Sequence, residues 1–272
     1  MSWDLSFISE ENFKKHVRST IDKYRDKGKS YGLQEFNNNI VDPIKLTFDK
    51  TVSGSSWKET ISNEIFRQRD KSINNAIGYF HQYMFKYIDR CSVPQNGKEG
   101  GWDVIYSDPE GIVLPDGNKV HKVYVEMKNK HNTMNSSSAA KTYLKMRTQI
   151  ADDDDCACFL VEVISKQSQN TEWEIKVEGQ KRSHKLIRRL SIDKFYEMVT
   201  GDKLAFYKIC KLLPGVIEQL VNDEKHSAVP VDLVYDELVI EAGDSDSKTR
   251  EDALARAIYL LGFSSYSGFE DE

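Results

Sequence analysis

The sequence predicts an α/β fold: one mixed β-sheet flanked by helices, with a helical N-terminal part. Three observations carry this. Apolar residues recur at helical spacing up to about residue 92, side chains alternate like strands from Trp102 to Met127, and helical spacing returns after Ile192. No stretch reads as a flexible linker, so a single domain over 1–272 is expected. Within it, 1–92 would be mainly helical, 93–194 the sheet with its polar loops, and 195–272 helical.

The first helix is read from Phe13, Val17, Ile21 and Tyr24, which keep one helical face, and Ser9 is placed to cap it. Phe36, Ile40, Ile44 and Phe48 continue the helical period, with Pro43 suited to start a new helix. Trp57, Ile61 and Ile65 mark a third helix, and Tyr79, Met84 and Phe85 lie in the helical text after it. The glycine-rich loop 94–101 ends this region, Trp102–Tyr106 reads as a strand, and Pro115–Asn118 reads as a turn. Over Lys119–Met127, His121, Val123, Val125 and Met127 face one way; Lys122, Tyr124, Glu126 and Lys128 face the other. Ser137 is placed to cap a helix to about Asp153. Strands are expected at Cys156–Ile164, Glu172–Val177 and Ile187–Ile192, then helices at 195–199, 203–212, 214–221 and 249–261.

Hydrophobic residues make up 39% and charged residues 30% of the 272, a balance that excludes disorder and fits a globular core. No apolar run is long enough to span a membrane. Met1-Ser2-Trp3-Asp4-Leu5 lacks the layout of a signal peptide, so a cytoplasmic protein is expected. Cys156 and Cys158 sit in a strand-like apolar run without metal-site spacing, so the cysteines are read as reduced thiols. The net charge is −5, but it is unevenly spread. Residues 119–147 hold seven Lys or Arg against Glu126, and 176–194 hold seven against Glu178 and Asp193; 223–272 hold thirteen acids against four bases. Basic central stretches with an acidic tail suit a polyanionic partner on one face.

The chemistry concentrates in Asp103 and in Glu126-Met127-Lys128. Glu126 and Lys128 are two apart on a strand and share a face. An acid at the end of the preceding strand can be brought beside them across a hairpin. Two carboxylates and a backbone carbonyl offer hard oxygen ligands for Mg²⁺. The ammonium can orient or deprotonate a water, or offset charge on a phosphate, and metal-assisted phosphodiester hydrolysis needs those parts. Such acid and Glu-x-Lys spacing is common on exposed strand faces. Here apolar Val123 and Val125 pull Glu126 inward, and the polar run from Asn129 to Ser138 comes next.

The run from Val125 to Ser136 resembles that of type II restriction endonucleases cutting GGNCC-type sites, within the PD-(D/E)xK nuclease superfamily. Asn74–Gln82 and Asn39–Lys45 also resemble that family. Trp102 stands where the superfamily has proline, and Asp108 is the substitute if Asp103 is not the first acid. The resemblance implies a restriction-endonuclease-like sheet and a homodimer cleaving both strands of double-stranded DNA with Mg²⁺. It also implies a companion DNA methyltransferase in the same system, without necessary physical contact. It assigns metal binding to Asp103 and Glu126, water activation to Lys128, and a further acid on an N-terminal helix, for which Glu64 is the candidate.

DNA contacts are expected from Lys130, His131, Asn132, Asn135, Ser136, Lys141, Lys145, Arg147, Arg182, Arg188 and Arg189. Which of these read bases stays open; Lys141, Lys145 and Arg147 suit phosphates. His81, near Tyr79 and Tyr83, is read as structural. Two alternatives are a structure-specific or repair nuclease with the same metal centre, and a non-catalytic DNA-binding protein.

Overall fold

The computed structural model describes residues 3–27, 29–95, 97–177, 179–222, 231–243 and 247–266. Of the charges counted above, Glu178, Asp223, Glu224, Lys225, Asp244, Asp246, Glu270, Asp271 and Glu272 lie outside them, as does Asn96 of the loop. The chain forms two compact units, 1–21 with 75–224 and 22–74 with 225–272.

The elements run α1 (Glu10–Lys27), α2 (Leu33–Asn37), α3 (Pro43–Ser53), α4 (Trp57–Met84), β1 (Cys91–Ser92), β2 (Val104–Val113), β3 (Lys119–Lys130) and α5 (Ser136–Asp152). They continue with β4 (Cys156–Ile164), β5 (Asn170–Glu172), β6 (Ile175–Val177), β7 (Gln180–Arg182), β8 (Ile187–Ser191), α6 (Ile192–Thr200), α7 (Ala205–Asn222), α8 (Val234–Ala242) and α9 (Ser247–Phe263). Among the described residues no helix is long and apolar enough to cross a membrane.

The first unit is a mixed sheet in the order β1-β2-β3-β4-β8-β5, as the α/β reading expects. β1, β2 and β3 are antiparallel, β3-β4 and β4-β8 parallel, and β5 antiparallel to β8. A parallel β3-β4 pair needs a crossover, and α5 supplies it. β4 is central and buried on both faces, which explains its continuous apolar text from Cys156 to Val161. One sheet face, with Val104, Val123, Val125, Phe159, Val161 and Leu190, packs with Phe13 and Val17 of α1, Met84 of α4, Phe195 of α6 and Ile209 of α7. Each large side chain fully buried there contributes roughly 1.5–3 kcal/mol. The other face carries Tyr124, Cys158, Leu160 and Ile187, packed with Trp102 and with Tyr143 and Met146 of α5. β6 and β7 form a separate hairpin rather than part of the 172–177 strand expected from the sequence.

The second unit has its own core, in which Phe36, Leu46, Trp57, Ile61 and Ile65 meet Val234, Leu238, Leu254 and Ile258. Asp42 caps α3 by accepting from the Lys45 amide at 3.1 Å, and Pro43 occupies the first turn as expected. The predicted apolar face is corrected here. Ile40, Ile44 and Phe48 are exposed and Leu46 is buried, because the break before Pro43 resets the helical phase. α4 runs unbroken through Gly78, and α7 through Pro214 where two helices were expected.

Candidate active site

β3 sets the site's geometry by alternation. Val123 and Val125 are buried against the helical face, so Tyr124, Glu126 and Lys128 project from the other, as expected. Asp103 immediately precedes β2, and its amide donates to the Val125 carbonyl at 2.9 Å. Its Oδ2 accepts from the Met127 amide at 2.7 Å, which fixes the carboxylate beside the Glu126–Lys128 segment. Lys128 Nζ lies 2.8 Å from Glu126 Oε1. The three predicted groups therefore converge at one end of the β2-β3 pair.

Further residues join them. Lys145 Nζ is 3.0 Å from Glu126 Oε2 and 2.8 Å from the Gly101 carbonyl, and it stands 4.0 Å from the centre of the Trp102 ring. Trp102 is buried, and its indole N–H donates to Gln149 Oε1 at 3.0 Å, one helical turn beyond Lys145 on α5. Trp102 thus ties α5 to the segment that carries Asp103. Gln82, buried on α4, donates to the Asp103 carbonyl at 3.2 Å.

The acids differ electrostatically. Burial pushes the Asp103 carboxyl above its ordinary range; the Met127 amide opposes this, the Glu126 charge adds to it, and the two lysines oppose it. At Glu126 burial is again the largest influence and acts upwards, but Lys128 and Lys145 together outweigh it and hold the carboxyl low. The donor set suits a divalent cation: two neighbouring carboxylates, one held high mainly by burial, offer hard oxygens. Asp108, the substitute acid, is engaged elsewhere. It sits in the irregular part of β2, 2.7 Å from Arg90 and 3.2 Å from the Tyr106 hydroxyl. Glu64 belongs to the second unit, where Arg67 Nε donates to it at 2.7 Å and Gln68 at 3.3 Å.

The structure sorts the expected DNA contacts into groups. Lys130, Asn132 and Ser136 are exposed around the loop after β3. Asn135 rather than Ser137 caps α5, accepting from the Ser138 amide at 2.8 Å. Lys141 and Arg147 of α5 line, with Tyr143, Leu144, Arg182 and Ser183, a cleft of about 480 Å³. Arg188 is separated from these: alternation puts it with Leu190 on the helical face. Its guanidinium is spent on the Asn170 side chain (2.6 Å) and on the carbonyls of Asn170 (2.9 Å) and Lys185 (3.4 Å). Arg189 and His131 instead gather on the Glu126 face around Glu162, a buried acid that the sequence reading missed. A charged residue inside an otherwise apolar strand, between Val161 and Val163, was the signal available for it.

The family model for the Eco47II restriction endonuclease matches residues 5–222. The type II restriction enzyme Sau96I of Staphylococcus aureus is 25% identical over 229 residues, 81% of this chain and 82% of that protein. The type II restriction enzyme Eco47II of Escherichia coli is 25% identical over 228 residues, 80% of this chain and 89% of that protein.

Proposed function

The chain belongs to the Eco47II restriction endonuclease family, and from that premise we propose that it is a Mg²⁺-dependent enzyme hydrolysing both strands of duplex DNA at a GGNCC-like site. The observation that carries this reading is the convergence of Asp103, Glu126 and Lys128 at one strand end. Asp103 and Glu126 would hold the metal, which supplies Lewis acidity and an activated water at neutral pH. Lys128 orients the attacking water and offsets the charge gathering on the phosphate. Lys145, itself held by the Gly101 carbonyl and the Trp102 ring, keeps the ionised Glu126 in place. Glu64 remains the candidate for a further acid that the family resemblance implies; within the second unit it pairs with Arg67.

Lys130, Asn132, Asn135 and Ser136 would contact DNA from the loop, and Lys141, Arg147 and Arg182 from the cleft beside α5. One such acid pair per chain serves one strand, so cutting two antiparallel strands calls for a two-fold homodimer. A protecting methyltransferase, a cytoplasmic location and a single restriction-endonuclease-like domain over 1–272 belong to the same reading. The unit division falls within α1 and near the C-terminal part of α4.

The test is digestion of a sequenced plasmid with purified protein and Mg²⁺. Discrete fragments with ends at GGNCC-like sites are expected. Cuts confined to junctions or lesions would favour a structure-specific nuclease, and binding without cleavage a non-catalytic protein.

A further inference from the structure

The sheet face that carries Glu126 and Lys128 holds a second charged cluster one strand away. Glu162 on β4 pairs in register with Lys128 and is 0% exposed. A carboxylate at that depth needs charged or hydrogen-bonding partners, and it has them. Glu162 Oε1 binds Arg189 Nη2 from β8, and its Oε2 lies 3.3 Å from His131 Nδ1, just beyond the end of β3. Alternation on β8 sets Arg189 on the same face as Ile187, hence with Leu160 and Glu162.

Arg189 Nη2 is 2.6 Å from His131 Nδ1 and 3.3 Å from the His131 carbonyl. A guanidinium keeps its protons, so where Nη2 donates to Nδ1 that ring nitrogen cannot also donate to Glu162, and the partner that balances the buried carboxylate is Arg189. One nitrogen of Arg189 thereby serves Glu162 and His131 together, while its Nε is buried with no hydrogen-bond partner. A buried donor left unsatisfied costs free energy, and it marks a place where an acceptor is expected to arrive.

We propose that Arg189 is a phosphate contact of the catalytic face, that Glu162 is the positioning residue holding its guanidinium, and that His131 fixes its orientation. The inference rests on the nuclease reading and decides a question that reading leaves open. An arginine reading base edges must reach out into a groove. Arg189 lies along the sheet, paired to Glu162 and only 23% exposed, and Glu162 stands in register with Lys128 on the neighbouring strand. A guanidinium held flat against the sheet in this way suits a phosphate oxygen brought to that face better than a base edge inside a groove.

The test measures binding to a duplex carrying GGACC, and to one with a G·C pair of that site changed, across a salt series with Ca²⁺ in place of Mg²⁺. Arg189→Ala should weaken both complexes by a similar factor, about tenfold or more, and lower the slope of log affinity against log salt by about 1. Glu162→Gln should move both quantities the same way, and the double variant should be no worse than Arg189→Ala. Lost discrimination between the two duplexes with an unchanged slope would make Arg189 a base reader and overturn the proposal. So would a Glu162→Gln protein that binds like wild type. If circular dichroism shows Glu162→Gln unfolded, the Arg189→Ala slope decides alone. Failure of the wild type to cut plasmid DNA would sink the nuclease reading itself, while the slope still reports on Arg189.

Discussion

At Glu126 two ammonium groups meet one carboxylate, and the chain spends a tryptophan and a glutamine to keep one of them there. Lys128 comes from the same strand and Lys145 from the crossover helix, so their roles separate on substitution. Lys128→Ala should abolish cleavage, by at least about 10²-fold, while sparing DNA binding; gel-based cleavage and a binding titration read the two quantities, and wild-type-like nicking would remove Lys128 from the mechanism. Lys145→Met should lower turnover by about 10- to 100-fold, the range for a group that orients a metal ligand. Asp103→Ala should be inactive and Asp108→Ala active, because Arg90 and Tyr106 already occupy Asp108. The reverse pattern would show that the first acid is misassigned. The shared face of Glu126 and Lys128 was legible because strand alternation is a strict rule, and the nearness of Asp103 followed from reading a hairpin between its strand and theirs. The pairing of Lys145, read from the sequence as a phosphate contact, with Glu126 and that of Glu162 with Arg189 were not legible, because the partners lie 19 and 27 residues apart and only packing brings them together.

Element by element, local rules worked where local physics decides. Ser9 precedes α1, with the Asn12 amide 3.2 Å from its hydroxyl, and the β3 alternation holds over its whole apolar stretch. They failed where a short polar side chain had competitors. Asn135 rather than Ser137 caps α5, and since Asn and Ser cap about equally well, local preference could not choose between them. Asn135→Ala should therefore cost about 1 kcal/mol in urea unfolding, whereas Ser137→Ala should cost nearly nothing. Equal losses would mean that the start of α5 is held by tertiary packing instead. Helix continuity was illegible for another reason: α7 passes through Pro214 because Leu212, Val216 and Leu220 are buried on either side of it, and that burial outweighs the lost backbone bond.

For the whole molecule, the second unit could not be foreseen, since its halves are remote in sequence. Asn37 donates to the Leu261 carbonyl across 224 positions, and Arg69 pairs with Asp232 across 163. The first unit carries a stability term that depends on pH. Burial depresses the His81 pKa to about 4, and the nearby charge of His16 adds to this. His81 packs edge-on against Phe80, and His16 Nε2 meets the Phe80 carbonyl at 2.8 Å. Between about pH 6.5, the unfolded value, and about 4, the unfolded chain takes a proton that the folded one refuses, so stability must fall as pH falls. The contribution is complete above about pH 6.5 and lost by about pH 4, a span worth up to about 3 kcal/mol at ~1.4 kcal/mol per unit. Urea unfolding at a series of pH values across that window should show this loss in the wild type. His81→Leu removes the titrating ring and should flatten it; an acid slope unchanged in that variant would place the loss elsewhere.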